Sequence, residues 1–285
     1  MILVADSGSS KADWIIIKDD AERIEFSTKG INPFFSNEKE ICKVLSGYEE
    51  VQKYNSKIKE VHFFGAGCSS PDKREIVSNG LSKVFSKAFI NVEDGVLGAV
   101  YATCGNSKGF TCVLGTGSNI AFFDGEQAHY GVHGIGYILG DEGSGAYFGR
   151  KIITAYMYGL MPQSLKKAFE ANYQIDKETI IENIYQKPSP NIYLAAFSRF
   201  MYKHRDDKLI QSILFDGFEE FAKVHILRQA HYQAYPCHFV GSIAYFFQDV
   251  LAQVCSEHKI KLGKVIASPI NGLTEFILNK DIDKL

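Results

Sequence analysis

Asp6, Ser7, Gly8, Ser9, Ser10 and Lys11 follow one another between two apolar runs, ILVA before them and WIII soon after. A turn of glycine and serine lets backbone N–H groups converge on an anion with no side chain in the way, and the hydroxyls add donors. That is phosphate chemistry. Asp6 closes the first strand, where it can hold Mg²⁺ through water, and Lys11 can neutralise phosphate charge. The turn leads into a strand, whereas a dinucleotide fingerprint or P-loop leads into a helix, and the G-x-x-x-x-G-K-[ST] spacing is absent. SGSSK taken alone is also an ordinary hairpin turn. A second copy changes the balance: in VLGTGSNIAFF the residues Gly115, Thr116, Gly117, Ser118 and Asn119 stand between two β-rich runs as the first turn does. Two such turns facing each other across a cleft would grip the β- and γ-phosphates of a nucleotide from both sides.

Asp94 ends the run FINVED and precedes the small-residue stretch GVLGAVYATC. A carboxylate at the carboxyl edge of a sheet is placed to orient a hydroxyl nucleophile and accept its proton. It is equally placed to cap the following helix, worth about 1 kcal/mol, and both roles stay open on the residues alone. Glu93, next in the strand, points to the opposite face. GDEGSG at 140–145 opens a helix, so Asp141, Glu142 and Ser144 read as first-turn acids and a cap. Cys68 in GAGCSSP has neither a G-x-S-x-G elbow nor a paired histidine and reads as a small packed residue. His129 and His133 lie among glycines, which makes a helical zinc pair unfavourable.

The elements that must position these residues alternate. Strands are expected at 2–5, 12–17 and 60–65, helices near 37–53 and 71–88, a strand at FINVED and a helix over 95–104. After a turn at GNSKG the strand, glycine turn, strand order recurs. A helical region from Gly145 to about Ala234 follows, then strand, Gly-Ser junction and helix in HFVGSIAYFFQDVLAQVC, strand KVIAS and the helix GLTEFIL. The fold class is α/β, with lobes at 1–105 and 106–285, the second enlarged by helices. The last helix, about 273–285, is expected to pack back on the first lobe.

A chain of 285 residues suits two domains. Its 31 basic and 33 acidic residues give a net charge of −2, which disfavours nucleic acid and anionic membranes as partners. No apolar run approaches the roughly 20 residues of a membrane span, and no export signal is visible. Six cysteines without a C-x-x-C pair suit reduced thiols in the cytoplasm. The tyrosines and phenylalanines of the helical region read as core.

The succession DSGSSKADW, NVEDGVLGAV, VLGTGSNIAFF, GYILGDEGSGAYFGR and FVGSIAYFF resembles the N-acetylglucosamine kinase and BadF/BadG-type ATPase family of the actin, heat-shock ATPase and hexokinase superfamily, collinearly over nearly the whole chain. The resemblance implies two ribonuclease-H-like lobes with ATP between them, an actin-like ATPase fold. It implies phosphate turns at Asp6, Gly8, Ser9, Ser10 and Lys11 and at Gly115, Thr116, Gly117, Ser118 and Asn119, an adenosine segment at Gly241 and Ser242, and Mg²⁺ organised by Asp6. Asp94 becomes the base beside the sugar, Asn32 and Asp141 hold sugar hydroxyls, and Thr116 and Gly134 line the same pocket. The implied activity is ATP- and Mg²⁺-dependent phosphorylation of an N-acetylated amino sugar or related hexose, with a homodimer left open. Ile135 stands where such kinases often carry an aromatic residue, so the acceptor preference is expected to differ. Two other functions fit the same fold. An ATPase that activates an electron-transfer partner through an iron–sulfur cluster at its dimer interface needs exposed cysteines, with Cys104 and Cys112 flanking the expected turn. A sugar sensor without catalysis, if DNA-binding, would bring a helix-turn-helix, and this chain starts directly with the first phosphate strand.

Overall fold

The computed structural model describes residues 1–131 and 134–282. They form two compact units, 1–107 together with the C-terminal stretch from Ser268, and Lys108–Ala267.

In the first unit a meander of β1 (Ile2–Ser7), β2 (Lys11–Ile17) and β3 (Arg23–Lys29) is followed by α1 (Glu38–Ser46), α2 (Glu49–Tyr54), β4 (Glu60–Gly65), α3 (Pro71–Val84), β5 (Phe89–Asp94) and α4 (Gly95–Cys104). The sheet order is β3-β2-β1-β4-β5, with β4 parallel to both β1 and β5. Leu3, Val4 and Ala5 are all buried, as a central strand covered on both faces requires. β3 alternates exposed charged residues with Ile24 and Phe26, the pattern of an edge strand. Trp14 is buried and its indole N–H donates to Thr28 Oγ1 at 3.0 Å.

The single helix expected over 37–53 is two helices, because Gly47 ends α1 and Tyr48 is extended. Asn37 and Glu40 form a capping box at the start of α1. α3 starts at Ser70-Pro71 as expected but ends at Val84, ahead of the expected 88. The small residues of α4 let it lie between the sheet and the C-terminal helix (Ile270–Ile282). A methyl on Gly98 would sit 2.9 Å from Phe64 Cβ, one on Gly272 would sit 2.8 Å from the Ala102 carbonyl oxygen, and Tyr101 stacks on Phe276 at 4.2 Å. The expected second lobe therefore loses its last segment to the first unit.

The second unit repeats the plan. Its strands are β6 (Gly109–Leu114), β7 (Ser118–Phe123), β8 (Ala128–Tyr130), β9 (Cys237–Val240) and β10 (Leu262–Ile266), in the order β10-β9-β6-β7-β8. β6, β7 and β8 form an antiparallel meander, and β9 runs parallel to β6 and β10, so each strand has its counterpart in the first sheet. Where the first unit places α1 and α2, the second inserts α5 (Gly145–Met157), α6 (Gln163–Asn172), α7 (Lys177–Ile181), α8 (Pro190–Ala195), α9 (Ser198–Lys203) and α10 (Lys208–Phe221). Phe148, Phe169, Phe197, Phe200 and Phe218 build their common core. α10 runs on into a π-helical turn, Ala222–Ile226. Short α11 (Ser242–Phe246) and α12 (Gln248–Glu257) connect β9 to β10. No helix among the described residues is long and apolar enough to cross a membrane.

Candidate functional site

In the first unit three elements end in one row: Ser7 of β1 pairs with Gly65 of β4, which pairs with Asp94 of β5. The Gly8–Lys11 turn leaves the same edge and is closed by the Gly8 N–H donating to the Lys11 carbonyl at 2.9 Å. A strap from Gly30 to Asn32 runs beside it. The Gly30 N–H donates to the Ser10 carbonyl at 3.2 Å, and a methyl on Gly30 would lie 2.3 Å from the Gly8 carbonyl oxygen, so only glycine allows this approach. The Ser7 hydroxyl accepts from the Ile31 N–H at 2.9 Å and donates to the Ile31 carbonyl at 3.0 Å. Asn32, which is buried, then donates from Nδ2 to Ser9 Oγ at 3.0 Å and accepts the Phe34 N–H at 3.0 Å. The expected sugar ligand is thus tied directly to the first phosphate turn.

Asp6 stands opposite Asp13 in the β1–β2 register. Desolvation at the strand end, reinforced by the Asp13 carboxylate, pushes Asp6 up to about 7. Asp13 is also the partner of the Lys11 ammonium at 2.7 Å and of the Ser27 hydroxyl at 2.7 Å. A divalent cation would relieve the crowding of these two carboxylates, so the donor set fits Mg²⁺.

Asp94 performs the capping role, its Oδ1 accepting the Val96 N–H at 2.8 Å. Burial raises its pKa above the usual carboxylate range despite that bond and the nearby Arg74. Glu93 is engaged by Arg74 at 2.9 Å. Cys68 is fully buried, and burial, followed by the Asp94 charge, pushes its thiol up to about 12, which suits packing and not nucleophilic attack.

In the second unit Leu114 pairs with Ser118, so Gly115, Thr116 and Gly117 form the turn, closed by the Gly115 N–H donating to the Gly117 carbonyl at 3.0 Å. The first N–H groups of α5 fasten it: Gly145 donates to the Gly115 carbonyl at 2.8 Å and Ala146 to that of Thr116 at 3.1 Å. Ser144 caps α5 by accepting the Tyr147 N–H. Asp141, in the left-handed region at φ 57°, accepts the Ser118 N–H on Oδ1 at 3.2 Å. A methyl on Gly117 would come 2.9 Å from its Oδ2. Burial raises the Asp141 pKa. Gly134 lies against Asn119, its virtual methyl 2.8 Å from Nδ2. Gly241 has φ 121°, and a methyl there would lie 2.3 Å from the Leu114 carbonyl oxygen, so no other residue can press β9 onto the root of this turn before Ser242 opens α11.

The first unit therefore gathers Asp6, Gly8, Ser9, Ser10, Lys11, Asn32 and Asp94 at one sheet edge, and the second gathers Gly115 to Asn119, Gly134, Asp141, Gly241 and Ser242. Sequence reasoning missed Gly30 and Asp13, although TKGIN carries a glycine two residues before Asn32. It also missed the pairing of Glu142 with His225 at 2.8 Å. His129 bonds Asp124, while His133 lies outside the described residues. Ile135 is 61% exposed, and Phe34, beside Asn32, is 60% exposed.

Two units of one topology, each with a glycine turn between its first two strands, define an actin-like ATPase fold. Solved structures agree. A candidate N-acetylglucosamine kinase from Porphyromonas gingivalis aligns with a TM-score of 0.91 and 39% identity, over 99% of this chain and 100% of that one. One from Chromobacterium violaceum aligns at 0.72 with 14% identity over 97% and 98% of the two chains. A ROK-family glucokinase from Streptomyces griseus, in complex with glucose and AMPPNP, aligns at 0.51 with 12% identity over 96% and 98%, a likeness of fold. No protein-family model and no curated protein matches the chain. With that identity over its whole length, the chain belongs to the N-acetylglucosamine kinase family.

Proposed function

We propose that the protein is an ATP- and Mg²⁺-dependent sugar kinase that transfers the γ-phosphoryl group to a hydroxyl of an N-acetylated amino sugar of the N-acetylglucosamine type, or of a related hexose. The observation that carries this reading is the recurrence of the glycine turn at the same place in both sheets, with Asp94 and Asn32 at the edge that bears the first. Kinship with the candidate N-acetylglucosamine kinase of P. gingivalis supports it.

In this reading the two turns hold the phosphates of one nucleotide, Gly241 and Ser242 border its adenosine, and Mg²⁺ at Asp6 would neutralise phosphate charge. Asn32 and Asp141 fix the sugar, with Thr116 and Gly134 beside them. Asp94 keeps Oδ1 on the helix cap and offers Oδ2 to the acceptor hydroxyl, whose proton it takes as the phosphoryl group arrives. Phe34, exposed and following Asn32 on the strap of the first unit, is the aromatic side chain proposed to pack on the sugar. Six free cysteines suit a cytoplasmic setting.

The test is ADP release with Mg-ATP over a panel of hexoses and N-acetylhexosamines. At least one sugar, N-acetylglucosamine first, is expected to raise the rate well above the sugar-free background; a rate indifferent to every sugar would favour an ATPase without an acceptor. Burial of Cys104 and Cys112 weighs against an exposed iron–sulfur site in that alternative.

A further inference from the structure

Resting on the reading of Asp141 as a sugar ligand, we infer that Glu142 and His225 are positioning residues that set the Asp141 carboxylate for sugar binding. The His225 Nε2 lies 2.8 Å from Glu142 Oε2, and both side chains are largely buried, at 9% and 15% exposure. No step of the phosphoryl transfer uses either residue.

The local backbone explains why such a pair is needed. Asp141 holds a left-handed conformation that an L-residue adopts at a cost of about 1 kcal/mol, and it is followed by Gly143 at φ 66°. This turn is clamped from two sides. On one side Asp141 Oδ1 accepts the Ser118 N–H of the phosphate turn at 3.2 Å. On the other, Gly143 sits so close to α10 that a methyl on it would be 3.2 Å from Phe221 Cβ and 3.3 Å from the Gly217 carbonyl oxygen. Glu142 reaches His225 one turn further along the same helical element.

His225 is carried by the π-helical turn Ala222–Ile226, closed by the Leu227 N–H donating to the Ala222 carbonyl at 2.9 Å. Such widened turns are rare and are frequently found at functional sites. Here the wider turn changes the angular position of residue 225 relative to a regular helix and sets its imidazole against Phe221, 4.8 Å between ring centres, and onto Glu142. The pair thus anchors the strained turn to the helical core, and losing it frees the Asp141 carboxylate to move relative to the sugar. The second phosphate turn keeps its own fastening to α5, through the Gly145 and Ala146 N–H groups on the Gly115 and Thr116 carbonyls, so nucleotide binding is expected to depend on the pair less than sugar binding does.

The experiment compares wild type, His225→Ala, Glu142→Ala and His225→Gln in steady-state kinetics with N-acetylglucosamine and Mg-ATP. The alanine variants are expected to raise the KM for the sugar by about tenfold or more, with the KM for ATP within about twofold and kcat within about threefold of wild type. His225→Gln keeps an N–H donor near the Nε2 position and is expected to recover most of the sugar affinity. Should His225→Gln be folded by circular dichroism and fail to recover it, or should the alanine variants move both KM values together, the pair is structural only and the inference is overturned. A wild-type enzyme that turns over no sugar overturns the sugar-kinase reading, and this inference with it.

Discussion

Asp94→Asn is expected to lower kcat by roughly 10³-fold while nucleotide and sugar still bind with near-normal Kd. The substitution isolates the proton acceptor, because an asparagine oxygen caps a helix about as well as an aspartate oxygen and so preserves the bond to the Val96 N–H at the start of α4. Asp94→Ala removes both functions and is expected to add about 1 kcal/mol of destabilisation to the same kinetic loss. Rate and urea unfolding measured on the two variants separate base from cap. Near-wild-type turnover by Asp94→Asn would remove Asp94 from the chemistry. Because burial raises the pKa of both Asp94 and Asp6, the acidic limb of the kcat/KM profile is expected to lie above the ordinary carboxylate range, with activity falling as pH drops through it.

Asp6→Asn is expected to produce opposite effects on function and stability. Turnover with Mg-ATP should fall by about 10² or more, since the amide gives the cation no charge to bind. Stability without ligands should increase. With its pKa near 7, folded Asp6 keeps a proton that the unfolded chain releases near pH 4, so between those values the folded state binds more protons and loses stability as pH rises. Full desolvation would make this ~4 kcal/mol, and solvent contact at the strand end reduces it to about 2. The neutral variant escapes the penalty. Its advantage over wild type in urea unfolding should grow from about pH 4 to pH 7 and level off above. An advantage that is absent at pH 8 would show that Asp6 is not crowded by desolvation and Asp13.

Features carried by local composition were legible in the sequence. Gly8-Ser9-Ser10 and Gly115-Thr116-Gly117 each interrupt β-rich runs, and their likeness announced the duplicated sheets. Asp94 was legible because a strand of apolar residues gives way there to a small-residue helix. The Ser70-Pro71 and Ser144 helix starts were equally local. β3 was not read, although RIEFSTK alternates, because its apolar positions are few and charged residues precede it; β8, at three residues, is too short to leave a pattern. Gly47 was too weak a signal to divide the helix expected over 37–53.

Long-range partners left no trace at all. Nothing near Phe276 announces Tyr101, yet their stacking accompanies the packing of the C-terminal helix on the first unit. His225 and Glu142 lie 83 residues apart and meet through a π-helical turn that no periodicity marks. The strap at Gly30 belongs to the same class, since its need for glycine arises from a carbonyl of the neighbouring turn.

The most direct measurement is a calorimetric titration of Mg-AMPPNP into wild type, Ser9→Glu and Thr116→Glu, which place an anion in one turn or the other. One nucleotide per chain is expected for wild type, and an affinity at least about 100-fold weaker in each variant, as expected where like charges meet. A wild-type protein that gives no binding heat with magnesium present, or a variant in either turn that binds as wild type does, would contradict the assignment of one triphosphate to both turns.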